Sequence, residues 1–303
     1  MPLASLSDLL AAAQREGYAV PYTESWNLES LQAVLDAAEE SRSPIIAGFN
    51  GGFLRHSTRK RPENLAYYGC FRQALASAKI PVAFLLNESD DLGQIRAAIE
   101  LGFNAVMPEN EGLEVEEYRA LVKSVVRIAK PRGVWVEAQI GLLPAGQINH
   151  NGSGTLTDPD LAAEFVEDTG IDALAISIGN VHILTEGKAT VDLEAVRRIR
   201  EKVSVPLVVH GGTSLTADSL RQLVTLGVAK VNFGTVLKQA YLGALATSLA
   251  KYHVPLSPHE FLGKGGPEDI MVAGREAVKC EVLRLIDVCG AKGRVQHDFV
   301  SAI

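Results

Sequence analysis

No stretch of these 303 residues approaches the roughly 20 consecutive apolar positions that a membrane-spanning helix needs. Cysteine is scarce. Cys70, Cys280 and Cys289 are widely spaced and form no CxxC pair, which excludes a disulfide framework and a cysteine-based zinc finger. They read as reduced thiols in a cytoplasmic protein. Positive charge is not in excess: the formal net charge is −7, which argues against a nucleic-acid partner. The nearest basic cluster, "RHSTRKR" at 55–61, reads as a solvated loop or, less often, an anion clamp. The opening "MPLASLSDLL" has neither the basic start nor the apolar core of a secretory signal. No G-x-G-x-x-G follows the first strand-like run, which disfavours a doubly wound dinucleotide-binding sheet.

What is present is an alternation. Apolar, β-rich runs are predicted at 18–22, 44–49, 81–86, 105–107, 134–138, 173–178, 206–209 and 228–233. Between them lie segments such as "NLESLQAVLDAAEESR", "LGQIRAAIELG" and "TADSLRQLVTLG", whose apolar residues recur at three- and four-residue spacing. Several open on Asp, Asn or Thr and close on Gly, as capped helices do. Continuous apolar strands alternating with helices imply a parallel sheet covered on its outer face. Eight such units imply an α/β fold of the (β/α)8 TIM-barrel type, one domain over 1–303. Two regions break the rhythm: a Gly/Asn/Ser loop at 142–159, long enough to be a functional lid, and extra C-terminal helices from about 252 to 303.

Active sites in such barrels sit at the carboxyl ends of the strands. Every predicted strand ends in a polar group: Glu24, Asn50, Asn87 with Glu88, Glu109 with Asn110, Glu137 with Gln139, His182, His210 and Asn232. Either histidine alone would suit a hydrogen-bonded core position. Together, at neighbouring strand ends, they look like a metal pair, with Glu88 the best-placed third ligand. Two histidines and one carboxylate leave coordination positions open for substrate or water. "HGGTS" at 210–214 and "NFGT" at 232–235 each run from a strand into a helix start. Gly211, Gly212, Thr213 and Ser214, then Gly234 and Thr235, are therefore expected to bind phosphate, unless both are ordinary short turns.

At these residues the sequence resembles the class II, metal-dependent ketose-bisphosphate aldolases, the fructose- and tagatose-bisphosphate aldolase family. The likeness runs through "AIELGFNAVM", "VWVEAQIG", "TDPDLAAEFVEDTGIDALAISIGNVH", "VPLVVHGGTSL" and "LGVAKVNFGT". It implies retro-aldol cleavage of a ketose phosphate, helped by a divalent metal, usually zinc, that stabilises an enediolate. By the same resemblance His182 and His210 are metal ligands, Asn232 contacts substrate, and the protein is a cytoplasmic homodimer or homotetramer.

The departures from that pattern are concentrated at the site. Where the family reads Asp-His-Gly, this chain reads Asn87-Glu88-Ser89. Asn87 cannot act as a carboxylate base, and Glu88 is a harder, anionic ligand that would admit manganese, iron or magnesium beside zinc. Glu24 stands for an asparagine, Asn50 often for a serine, Glu109 and Asn110 for Asp-Gly, Gln139 for a glutamate, and Ile183 for a glycine. Glu186 sits about where a phosphate-facing lysine is expected, and with Ile183 it points to a less phosphorylated substrate, a sugar phosphate or sugar acid. Glu24, Glu109 or Asp90 is expected to replace the missing base. Two other readings stay open: a non-catalytic sugar-phosphate-binding paralogue, and a Schiff-base aldolase using Lys230.

Overall fold

The computed structural model describes residues 3–144, 146 and 155–295. Eight parallel strands close into a barrel in simple sequence order. They are β1 Val20–Glu24, β2 Ile45–Asn50, β3 Val82–Ser89, β4 Ala105–Pro108, β5 Trp135–Ile140, β6 Ala173–Ile176, β7 Leu207–Val209 and β8 Val228–Phe233. The helices are α1 Leu6–Glu16, α2 Leu28–Ser41, α3 Gly51–Arg55, α4 Ala66–Gly69, α5 Arg72–Ser77, α6 Leu92–Glu100, α7 Val115–Ala129, α8 Pro159–Thr169, α9 Leu193–Lys202, α10 Ala217–Thr225, α11 Thr235–Leu249, α12 Pro258–Phe261 and α13 Ile270–Val288. The expected (β/α)8 barrel with added helices is the observed fold. Among the described residues no helix is long and apolar enough to cross a membrane.

Local chemistry explains the helix boundaries. Asn27 and Ser30 form a reciprocal cap at the start of α2, and the side chains of Asp91, Asp158, Asp192 and Thr216 cap α6, α8, α9 and α10. Gly17 and Gly170 end α1 and α8 in the left-handed conformation. Between β2 and β3 there are three short helices where the sequence offered no continuous period. The glycine pair at 51–52 and Pro62 fall in that stretch. The helices added beyond the barrel are α12 and α13, and α13 packs along α11 and α2. Part of the expected 142–159 loop and the last residues of the C-terminal extension lie outside the described residues; Leu142 and Thr155, at the loop's two ends, form an antiparallel bridge.

One boundary difference matters for function. The third strand was expected to stop at Leu86, but β3 continues to Ser89, so Asn87 and Glu88 belong to the strand. Its pairing with β4 shifts register between Leu86 and Ser89, and within that irregularity Glu88 takes a φ of 51°. The bulge keeps the ladder going while turning the Glu88 side chain inward.

The strands are buried along nearly their whole length, and aromatic rings fill the space behind β2 and β3. Phe84 stacks on Phe103 at 3.8 Å, and Phe49 meets Tyr68, Phe71 and Phe84. Gly48 is required where β2 crosses the ring of Tyr22. A Cβ there would lie 2.0 Å from the Leu85 carbonyl oxygen and 3.1 Å from the Tyr22 ring. Backbone cannot yield as a side chain can, so Gly48→Ala should cost about 3 kcal/mol or more in chemical denaturation.

Candidate active site

His210 follows β7 and is 1 % exposed. One ring nitrogen, Nδ1, lies 3.0 Å from Glu88 Oε1; the other, Nε2, lies 2.8 Å from Glu137 Oε1. Burial favours the neutral ring, but the hydrogen bonds to Glu137 and Glu88 outweigh it and raise the His210 pKa. Glu137 continues the line inward. Its Oε2 lies 2.8 Å from the fully buried Lys230 ammonium, though without a hydrogen bond of its own, while Lys230 Nζ donates to Oε1 at 3.0 Å and to Asn232 Oδ1 at 2.6 Å. Burial tends to raise the Glu137 pKa, and the charges of Lys230 and His210 reverse that and lower it.

Glu88 is the hinge of the site. Its second oxygen, Oε2, accepts from Asn50 Nδ2 at 2.6 Å. Asn50 stands beside Asn87 in the β2–β3 register, and its own Oδ1 caps α3 by accepting from Phe53 N at 2.9 Å. His182 Nε2 lies 3.6 Å from Glu88 Oε1. Burial would raise the Glu88 carboxyl, but His182, His210 and Asn87 outweigh it and hold it well below the usual carboxylate range. A left-handed non-glycine residue costs about 1–3 kcal/mol, and among the described residues there are three: Arg42 at a helix end, Glu88, and Ile183 at φ 53° directly after His182. Two of the three therefore flank the same cluster, and Ile183, being β-branched, is the harder one to hold.

The turn after β7 is stapled to the segment after β6. Asn180 Nδ2 donates to His210 O at 2.8 Å, Val181 N to Ser214 Oγ at 3.2 Å, and Ala189 N to Ser214 O at 2.7 Å. Gly211 has φ 63°, and a Cβ there would meet the Val181 carbonyl oxygen at 2.3 Å. Lys188 Nζ donates to Thr213 O at 2.8 Å, and Thr213 Oγ1 accepts from Val236 N at 3.3 Å. Thus the Lys188 ammonium and the start of α11, its positive dipole end, adjoin the paired Gly/Thr turns, although Val236 N is already given to Thr213. The expectation that Glu186 faces this place is corrected. Glu186 is exposed and does not line the cavity, and the cation at the turn is Lys188, two residues on.

A cavity of about 290 Å³ gathers Glu24, Asn87, Glu88, His182, Gly211, Thr213, Asn232, Gly234 and Thr235 in its wall, together with Tyr22, Ile183 and Lys238. His210 stands immediately behind Glu88. Asn50, Glu109, Gly212 and Ser214 do not line it. Asn50 is occupied by Glu88 and α3. Ser214 is a staple, and Gly212 underlies Phe233, whose ring a Cβ would meet at 2.6 Å. Glu109 folds back on its own turn, accepting from Asn110 N at 2.7 Å, and burial together with the Glu88 charge raises its pKa. Asp90 pairs with Arg55 at 2.9 Å on the exposed rim, which also settles Arg55 of the basic loop as surface chemistry. Glu24 is ion-paired with Lys238, and burial outweighs that pairing to raise its pKa. Lys238 in turn lies 4.3 Å above the Phe53 ring.

Sequence reasoning missed Lys188, Lys238 and Tyr22. Lys188 and Lys238 are ordinary surface-type residues in the sequence, and Tyr22 reads as one more β-former. Only their placement at the rim and wall marks them.

The model of the class-II fructose-bisphosphate aldolase family matches residues 4–294. The chain belongs to that family. It is similar to the YdjI aldolase of Escherichia coli K12, with 30 % identity over 97 % of this chain and 100 % of that one, at a TM-score of 0.79. It is also similar to a structure assigned as a fructose-1,6-biphosphate aldolase from Coccidioides immitis, with 25 % identity over 96 % and 98 % of the two chains and a TM-score of 0.80. The fructose-bisphosphate aldolase Fba of Campylobacter jejuni shares the fold at 21 % identity over 95 % of each chain, with a TM-score of 0.74. This class-II relative is thus an aldolase-type lyase, of a family that generally depends on a divalent metal.

The residues can be tested against that metal. Among the described residues no group of three or more His, Cys, Asp or Glu side chains is placed to hold a metal ion as it stands. Donor atoms bound at about 2.1 Å around a tetrahedral ion stand roughly 3.4 Å apart. Glu88 Oε1 is 3.0 Å from His210 Nδ1 and 3.6 Å from His182 Nε2, so both pairs have the spacing of groups sharing a cation. Glu137 on the far nitrogen of His210 is the carboxylate partner that orients ligating histidines. By its chemistry the donor set suits a divalent ion, and His182, its side chain a third exposed, is the member that would have to move to close it.

The Schiff-base alternative does not fit. Burial does lower the Lys230 pKa against the pull of Glu137, the direction such a lysine needs. But its ammonium is held by Glu137 and Asn232, and Lys230 is not part of the cavity wall. Its role is to balance Glu137. Lys230→Met should therefore destabilise the fold by about 3–5 kcal/mol in urea unfolding, and adding Glu137→Gln should recover much of that loss.

Proposed function

We propose that this aldolase-type lyase cleaves a ketose phosphate, or a phosphorylated sugar acid, by a metal-assisted retro-aldol reaction, with Glu88, His182 and His210 holding the metal. The spacing of Glu88 Oε1 from the two imidazoles carries the reading. A divalent ion bound there, zinc first and manganese, iron or magnesium next, supplies Lewis-acid polarisation of the substrate's carbonyl and hydroxyl oxygens. His210 serves as its neutral Nε2–H tautomer, donating to Glu137 and leaving Nδ1 free as a ligand. The phosphate end rests on Gly211, Thr213, Gly234 and Thr235, with Lys188 behind the turn.

Cleavage breaks the bond between C3 and C4. Its electron pair stays on the C3 half as an enediolate, the proton on the C4 hydroxyl goes to a base so that the C4 half leaves as an aldehyde, and C3 then takes up a proton to release the ketone half. Asn87 cannot be that base. Among the described residues, the only carboxylates in the cavity wall are Glu24 and Glu88. With Glu88 assigned to the metal, Glu24 takes the proton. Its raised pKa brings it nearer the working range of a general base. Asn232, tied to Lys230 and beside His210, orients the substrate. A single domain working as a homodimer or homotetramer in the cytoplasm completes the proposal.

Two measurements test it. Glu88→Ala and His210→Ala should each weaken binding of a divalent ion by about 10-fold or more in calorimetry; undiminished affinity would remove them from the site. Glu24→Gln should lower kcat by about 10²-fold or more while metal affinity stays the same. Equal turnover would pass the proton to another group.

A further inference from the structure

Three hydroxyl groups next to one another in the chain, on Tyr22, Thr23 and Ser25, are buried without a hydrogen-bond partner. Only Tyr22 belongs to the cavity wall. Its residue is 1 % exposed, and its ring occupies the space that Gly48 leaves open, 5.1 Å from the Lys230 ammonium.

A buried phenol usually finds an acceptor. The nearby carboxylates are each engaged elsewhere, and none accepts from the phenol. Glu24 is paired with Lys238, Glu88 with Asn50 and His210, and Glu137 with His210 and Lys230. Burial, followed by the charges of Glu24, Glu88 and Glu137, raises the Tyr22 pKa well above the ordinary phenol. The group therefore keeps its proton, lies at the cavity wall with its hydroxyl covered, and can be satisfied only by an acceptor that reaches it there.

We propose that Tyr22 is a catalytic hydrogen-bond donor: its hydroxyl donates to the substrate oxygen that becomes negative as the carbon–carbon bond breaks. The inference rests on the retro-aldol reading above. No proton changes hands in this role; the hydroxyl stabilises developing charge by a preset dipole. It also compensates for a feature of this chain. An anionic glutamate ligand would make a bound metal a weaker Lewis acid than neutral ligands would, and a fixed donor beside the forming oxyanion would restore part of that stabilisation.

Tyr22→Phe separates this role from a structural one, because it keeps the ring, the packing against Gly48 and the contact with Lys230. Removing a buried hydroxyl that has no partner in the free protein should leave the melting temperature unchanged or raise it by about 2 °C. The same change should lower kcat about 10²-fold with little change in KM. A readout independent of turnover is the binding of phosphoglycolohydroxamate, whose planar hydroxamate mimics an enediolate, to metal-loaded protein. Tyr22→Phe should weaken it about 10-fold or more. Unchanged kcat with equal hydroxamate affinity would overturn the proposal and leave the hydroxyl to a water inside the barrel. A wild-type protein that takes up metal but neither cleaves a ketose phosphate nor binds the hydroxamate would overturn the retro-aldol reading itself, and the role of Tyr22 with it.

Discussion

A histidine with almost no exposure, met by a carboxylate at each ring nitrogen, is the interaction on which the rest of the cavity depends. His210 cannot move without uncoupling Glu88 on one side and Glu137 on the other. Through Glu137 the line reaches Lys230 in the barrel interior, and through Glu88 it reaches Asn50 and the start of α3. Isolated buried charges are costly; alternating ones that satisfy each other's hydrogen bonds can be held. The consequence is a row of polar groups spanning β2, β3, β5, β7 and β8 inside an otherwise apolar barrel, with its outer end at the cavity.

That row ties together positions that the sequence reading singled out one by one. A glutamate at position 88 has a second oxygen that a histidine lacks, and that oxygen needs a donor. Asn50, across the β2–β3 register, supplies it. Placing a longer acidic side chain at this strand end also requires the bulge in β3 and the left-handed backbone at Glu88. Ile183 accepts a similar conformation to present His182 from the other side. Strain of this kind persists only where the surrounding contacts overdetermine it, and here the surrounding contacts are those of the proposed catalytic centre. Glu24 and Tyr22, two positions apart on β1, bring a carboxylate and a phenol to the wall that also holds Asn87.

Much of this was legible in the chain. The eight apolar runs became eight strands because continuous burial on both faces leaves no alternative to a parallel sheet covered by helices. The histidines at the ends of β6 and β7, and Glu88 beside them, were identifiable because a polar residue ending a buried strand must face either a pocket or a partner. Less legible were the residues whose meaning depends on reach. Asn50, read in the sequence as a polar strand end, grips Glu88. Glu109 was expected in the cavity and instead folds onto its own turn. Glu186 was placed at the phosphate turn, which Lys188 occupies, because a loop's path decides which of two neighbours arrives there.

The amino-acid sequence by itself determined the barrel, its strand order and the rim on which chemistry can occur, because these follow from periodicity and burial, which are properties of local composition. It also determined the family, through motifs that survive the exchanges at the site. Tertiary structure alone decided which polar groups meet. The direction of a side chain depends on register, bulge and backbone sign, and the protonation of a buried group depends on neighbours contributed by other strands. For that reason the pairing of His210 with two carboxylates, the silent hydroxyl of Tyr22 and the isolation of Lys230 emerge only from the closed barrel.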